Sequence, residues 1–157
     1  MNTQTTSAVE KSSVPYRERV LPSFGSFLPV LAVFPSILLA LYPISPLAGY
    51  LLGLTITAVV MILMVWRAPV IEISDGFLRV SRAKVDLRLI GEASVIAKEN
   101  SFLERGPNLK TNAFFVFQGS VKTMLKIEIA DKRDPTPYWL FSTRHADEIK
   151  RLLKKQN

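Results

Sequence analysis

The chain has 157 residues, a formal net charge of +7, 48% hydrophobic residues, one histidine and no cysteine. Those totals exclude disulfides, thiol nucleophiles, cysteine-based metal sites and multi-histidine metal clusters. The mean hydropathy of +0.23 hides a division: no Lys, Arg, Asp, Glu or His falls between Leu21 and Trp66.

Residues 1–15 are rich in Thr, Ser and Gln and nearly free of apolar side chains, which predicts a disordered tail. Tyr16-Arg-Glu-Arg19 follows, an aromatic ring and two guanidinium groups just before the first apolar run. That run covers about residues 24–42 and a second covers 46–66. Each is about 20 residues, the length a helix needs to cross a bilayer. Residues 16–67 therefore read as a transmembrane helical hairpin with a tight turn at Pro43-Ile-Ser-Pro. Pro29 and Pro35 would kink the first helix, which is tolerated in a span when neighbours satisfy the freed carbonyls. Ser45 and Pro46 suit the cap and first position of the second. Two stripes of small residues, Ala32, Ser36 and Ala40 on one helix and Gly49, Gly53 and Thr57 on the other, are candidates for the packing seam. Against a cleavable signal stand the length of the first run and the second run directly after it.

Basic residues flank the apolar runs and none lies in the turn between them. The positive-inside bias then places both termini in the cytoplasm, with the protein multi-pass in the cell membrane. Residues 67–157 carry 17 basic and 11 acidic groups.

From Ala68 the apolar period changes to two, the pattern of half-buried strands. Strands are predicted at 70–73 and 77–81, joined by Ser-Asp-Gly, a strong hairpin signal. Further strands follow at 85–89, after a turn at Ala83-Lys84, and at 94–98. A mobile polar loop is expected at 100–112, strands at 113–117 and 122–130, a turn at 131–137 and a last strand at 138–141. A terminal helix, capped by Ser142 or Thr143, carries Asp147 and Glu148 early and Lys150, Arg151, Lys154 and Lys155 late. Its apolar stripe is Ala146, Ile149, Leu152 and Leu153. The expected whole is an α+β membrane protein. An N-terminal transmembrane hairpin precedes a small antiparallel β-barrel or sheet with a C-terminal helix, at 68–157. About seven consecutive antiparallel strands and one helix is the element order of the pleckstrin-homology-like fold, an analogy of fold alone.

Tyr16-Arg-Glu-Arg19 before a two-span hairpin, Asp75-Gly76 after it, and Asp134-Pro-Thr-Pro-Tyr-Trp-Leu-Phe-Ser-Thr-Arg144 before the terminal helix carry a family likeness. On those motifs the chain resembles an uncharacterised actinobacterial family of two-span membrane proteins with a domain of unknown function. The likeness runs from about Tyr16 to Leu153 and implies an integral membrane protein with a cytoplasmic C-terminal domain. It implies no activity.

Chemistry is sparse. The chain lacks GxGxxG, a phosphate-binding Gly-Lys-Ser/Thr loop, HExxH and GxSxG. His145 has no partner carboxylate at a motif spacing, and the acids at 131, 134, 147 and 148 fit no calcium loop. No catalytic residue, metal ligand or cofactor is expected. Tyr138 and Trp139 are candidates for the lining of a groove, although filling a small core explains them better. Arg17, Arg19, Arg67, Arg79, Arg82 and Lys84 are candidates for contact with an anionic leaflet. A phosphoinositide pocket of the pleckstrin type is disfavoured, because the first hairpin loop is Ser-Asp-Gly rather than basic. Nucleic acid is also disfavoured, since acids interrupt the basic residues and no stacking motif accompanies them. The expected partners are the bilayer and a membrane or cytoplasmic protein. The leading functional reading is a membrane-anchored, non-enzymatic interaction module. The second is an accessory subunit of a membrane complex, bound through its spans.

Overall fold

The structure is a computed structural model that describes residues 16–131 and 133–156. The tail expected at 1–15 lies outside the described residues. Two helical segments, Phe24–Leu41 and Pro46–Trp66, are long and apolar enough to cross a membrane.

The first segment is broken. A 3-10 turn at Phe24–Phe27 leads into α1 (Leu28–Leu31) and then α2 (Val33–Leu41). Proline explains both irregularities. Pro29 has no N–H for the carbonyl of Gly25, which accepts instead from Leu28. Pro35 clashes with the carbonyl four residues earlier, that of Leu31, and the helix interrupts at Ala32. The second segment, α3 (Pro46–Trp66), is continuous and starts as expected: the Ser45 hydroxyl accepts from the Ala48 N–H at 3.4 Å, with Pro46 at the first position.

The rest is α+β, with two four-stranded sheets and a terminal helix. In the first sheet β1 (Tyr16–Arg19), β2 (Val70–Ser74), β3 (Phe77–Val80) and β4 (Ala83–Asp86) lie in chain order, all antiparallel. Asp75 and Gly76 both have positive φ, at 51° and 77°, as a two-residue hairpin turn with right-handed twist requires. The second sheet contains β5 (Ile90–Ile96), β6 (Phe114–Val116), β7 (Met124–Ile129) and β8 (Tyr138–Ser142), in the order β5-β7-β8-β6.

Five expectations are corrected. The segment before the first apolar helix is a strand, so residues 16–19 belong to the sheet rather than to a hairpin unit at 16–67. The turn after β3 is Ser81-Arg82, with Ser81 at φ 55°; β4 therefore begins at Ala83 and ends at Asp86. The Asp86 carboxylate accepts from the Arg88 N–H at 2.9 Å and starts a 3-10 turn where strand had been expected. The strands are not all consecutive and antiparallel: β6 pairs with β8 in parallel, and β8 rather than β6 neighbours β7. Finally, residues 100–112 are anchored. They contain α4 (Ser101–Arg105), and the buried Tyr138 hydroxyl donates to the Asn108 carbonyl at 3.2 Å and accepts from the Lys110 N–H at 2.9 Å.

One core draws on both sheets and on α5 (Ala146–Gln156). Ile71, Ile73, Leu78 and Val80 meet Leu125, Ile127, Trp139 and Phe141, with Ile149 and Leu153 from the helix. A smaller cluster on the other face of the second sheet joins Met124, Tyr138 and Leu140 to Leu109 and Ala113 of the 97–113 connection. Every residue of β8 is buried because both of its faces are covered.

Candidate functional site

Strand β1 enters the first apolar helix after only four residues, and β2 begins four residues after α3 ends. The two strands are adjacent, with Arg19 opposite Val70, and the Val20 N–H donates to the Pro69 carbonyl at 2.9 Å. The apolar pair is thus sewn to the first sheet at two neighbouring strands. The Arg19 guanidinium completes the joint by donating to the Val65 and Trp66 carbonyls at 2.9 and 3.3 Å. Those carbonyls end α3, where a cation opposes the negative end of the helix dipole.

This joint sorts the candidate cationic residues. Arg19 is a helix cap. Arg67 follows α3 directly, and Arg82 lies in the turn whose Ser81 N–H reaches the Val70 carbonyl, so both stand at the helix end of the sheet. Arg17, Arg79 and Lys84 form one cross-strand row around Glu72 on the outward face. That row is two residues further along the strands, roughly 7 Å from the Arg19 row. The Lys84 ammonium also sits 3.6 Å above the Phe77 ring.

The same joint is held by a polar node that the sequence reading missed. Glu18 points into the protein and is 8% exposed. Its carboxylate accepts from the Thr143 hydroxyl at 2.5 Å, the Arg144 N–H at 3.0 Å and the Tyr16 hydroxyl at 3.1 Å, with His145 Nδ1 at 3.5 Å. Burial, then the charge of and hydrogen bond to Glu18, then the charge of Glu148, hold the Tyr16 phenol well above the usual tyrosine range. Tyr16 therefore remains a donor. The Arg144 guanidinium donates to the Leu21 carbonyl at 2.8 Å. Gln118 donates to the Val20 carbonyl at 3.3 Å, and the Ser120 hydroxyl accepts from the Ser23 N–H at 2.9 Å. Tyr16-Arg-Glu-Arg19 and Ser142-Thr-Arg144, more than a hundred residues apart, are two halves of one clasp. A single acid between two arginines, in an alternating stretch, was the available signal.

Thr143 is fully buried, and its hydroxyl faces a carboxylate rather than the imidazole. It also accepts from the His145 N–H at 3.1 Å, ahead of α5; Ser142, the other candidate cap, accepts from the Gln118 N–H instead. Among the described residues, no three His, Asp or Glu side chains converge on a common cation position. Tyr138 and Trp139, the candidates for a groove lining, lie in the interior. They are 4% and 5% exposed, and Trp139 packs with Phe114 at 4.8 Å between ring centroids.

Between the apolar helices, one stripe is at the seam and the other is not. Gly49, Gly53 and Thr57 are the buried residues of α3. A Cβ on Gly49 would lie 3.1 Å from Leu38, and one on Gly53 would lie 3.1 Å from Phe34 and 3.2 Å from its carbonyl. Ala32, Ser36 and Ala40 are exposed and face away. Large side chains of one helix fill the notch made by glycines on the other; two small stripes face to face would leave a void. Thr57, four residues beyond Gly53, is also buried, its hydroxyl without a hydrogen-bond partner among the described residues.

Residues 15–153 match the family described as Protein of unknown function (DUF3093). The chain belongs to that family. The match spans the clasp from Tyr16 to His145 and all but the last residues of α5, so the two sheets, the apolar pair and the node joining them make up the family's domain. No curated protein and no solved structure matches the chain.

Proposed function

We propose that this DUF3093 protein is a non-enzymatic interaction module, held at the inner leaflet of the cell membrane by its two apolar helices, with both termini cytoplasmic. The observation that carries the reading is the joint. The β domain follows the helices without a linker, so anchoring them would fix its height and orientation. The outer sides of those helices also support it. Leu39, Leu47, Leu51, Leu54 and Ile62 are exposed, apolar side chains suited to hydrocarbon rather than water. Arg67 and Arg82 stand at the helix ends, where an anionic leaflet attracts each cation by about 1 kcal/mol. The two sheets and terminal helix are compatible with the pleckstrin-homology-like analogy of fold, from which the parallel β6–β8 pair and the extra strand β1 depart. The partners proposed are lipid headgroups and a protein, not nucleic acid.

Carbonate extraction of membranes from expressing cells tests the anchor: the full chain should stay in the pellet. A reporter fused after Asn157 should be active only in its cytoplasmic form. Recovery in the soluble fraction, or an externally active reporter, would overturn the reading. Affinity capture of the detergent-solubilised chain then identifies partners, and turnover in a broad hydrolase screen would contradict a non-enzymatic role.

A second reading, an accessory subunit bound through its helices, is favoured by the outward stripe of Ala32, Ser36 and Ala40, which the intramolecular seam leaves free. Replacing these three with Leu should abolish assembly under this reading and leave binding by the β domain intact under the first.

A further inference from the structure

We infer that α4 and the hollow beside it form a lipid contact, with Phe102 and Leu103 entering the headgroup boundary and Lys98, Arg105 and Lys122 meeting anionic phospholipid phosphates. The inference rests on the anchored reading above and adds a second membrane-facing element, remote in sequence from the candidate cations of the first sheet.

Four observations converge on it. First, α4 leaves two large apolar side chains in the open: Phe102 is 66% and Leu103 49% exposed, although the chain buries its apolar residues well elsewhere in the β domain. Second, the residues around them are cationic. Lys98, Arg105 and Lys122 line one open hollow of about 220 Å³ with Ser101 and Phe102, and Glu99 is the sole acid there. Glu104, the other nearby acid, is engaged by the Lys126 ammonium at 2.9 Å. That bond, helped by Asn108, holds its carboxyl below the usual range despite partial burial. Third, the position is right. The Arg105 guanidinium lies 4.7 Å from the Phe117 ring, and Lys122 follows Ser120 by two residues. Gln118 and Ser120 are the residues hydrogen-bonded to Val20 and Ser23, where the first apolar helix begins. The hollow is therefore tied to the helix entrance, beside the exposed Phe24. Fourth, the element is held rather than loose. The Ser101 hydroxyl lies 3.6 Å from the Met124 sulfur, and the Glu104–Lys126 pair fixes the other end of α4 to β7. An aromatic ring and an aliphatic side chain ringed by Lys and Arg, next to a helix entrance, match the chemistry of an anionic bilayer surface.

The absence of cysteine makes the test direct. Full-length Leu103→Cys, labelled with an environment-sensitive fluorophore, is reconstituted in vesicles of phosphatidylcholine alone or mixed with phosphatidylglycerol. An Asp75→Cys probe, at the β2–β3 hairpin tip, serves as reference. The 103 probe should be blue-shifted and quenched by spin-labelled lipids in the anionic vesicles, while the 75 probe stays in water. Replacing Lys98, Arg105 and Lys122 with Gln should at least halve the quenching at 103 without altering the circular dichroism. Equal quenching at 103 and 75, or no dependence on phosphatidylglycerol, overturns the inference. Carbonate treatment of the same vesicles separates the two ideas: a chain that is retained with a water-exposed 103 probe sinks this contact alone, and a chain washed off sinks the anchor with it.

Discussion

The apolar helix pair and the β domain are joined at one sheet edge but are held by different physics. Between the helices the contact is apolar packing: Phe34 and Leu38 sit in a notch formed by Gly49 and Gly53, and the Phe34 ring lies 6.3 Å from that of Tyr50. In the β domain a shared apolar core is supplemented by a buried carboxylate with three hydrogen-bond donors. The difference follows from what each region can bury. An apolar helix satisfies its own backbone internally, so close approach is what distinguishes one partner face from another. The domain must fix a strand that precedes the helices against a turn near the other end of the chain, and a charged acceptor specifies that pairing by geometry. Glu18 with Thr143 and Arg144 supplies this specification.

The contrast can be broken at four points. Trp139→Ala should have the largest effect, about 3–5 kcal/mol lost in denaturant unfolding of the β domain, because it empties the core between the sheets. A groove residue would cost far less. Glu18→Ala should follow at about 3 kcal/mol, since it leaves the buried Thr143 hydroxyl and the part-buried Arg144 N–H without their acceptor. Glu18→Gln should recover part of that loss. Thermal unfolding followed by tryptophan fluorescence reads both variants.

Gly53→Leu should cost on the order of 1–3 kcal/mol through overlap with Phe34, seen as loss of energy transfer or crosslinking between the helices. Ala40→Leu, on the outward stripe, should stay within about 0.5 kcal/mol in the isolated protein. If the two substitutions behaved alike, the seam would be misplaced.

The smallest effect concerns alkaline pH. Tyr16 has a folded-state pKa above its unfolded value. Its contribution is fully present below pH ~10 and is lost as pH rises through the folded value. Ultraviolet titration compared with Tyr16→Phe should show a tyrosine signal that resists ionisation until the domain opens. Tyr16→Phe should abolish that resistant fraction and flatten the alkaline fall in stability.

Much of the local structure was readable in the sequence because it depends on neighbours. The limits of α3 came from an uncharged run with a Ser-Pro start, and the first β-hairpin from alternation around Asp75-Gly76. The terminal helix came from its apolar stripe and its charge gradient. Periodicity erred where side chains compete locally with it: Asp86 turns the chain into a 3-10 bend inside a cleanly alternating stretch. It also treated 100–112 as mobile, because the bond that anchors it comes from Tyr138, some thirty residues away.

Pairing was the larger gap. The apolar pattern marks 122–130 and 138–141 as strands, but it carries no information on which strand lies beside which, so the parallel β6–β8 pair went unread. Small residues likewise permit close helix approach without naming the face that uses it, and of two equivalent stripes only that of α3 meets a partner. By itself the sequence determined the elements, the apolar division and the charge at its borders, each a property of short stretches. The tertiary structure decided that Tyr16–Arg19 is a strand of the domain it precedes by some fifty residues, and that Glu18 and Thr143 meet. Such contacts depend on loop closure and shared burial across the whole chain, which no local window contains.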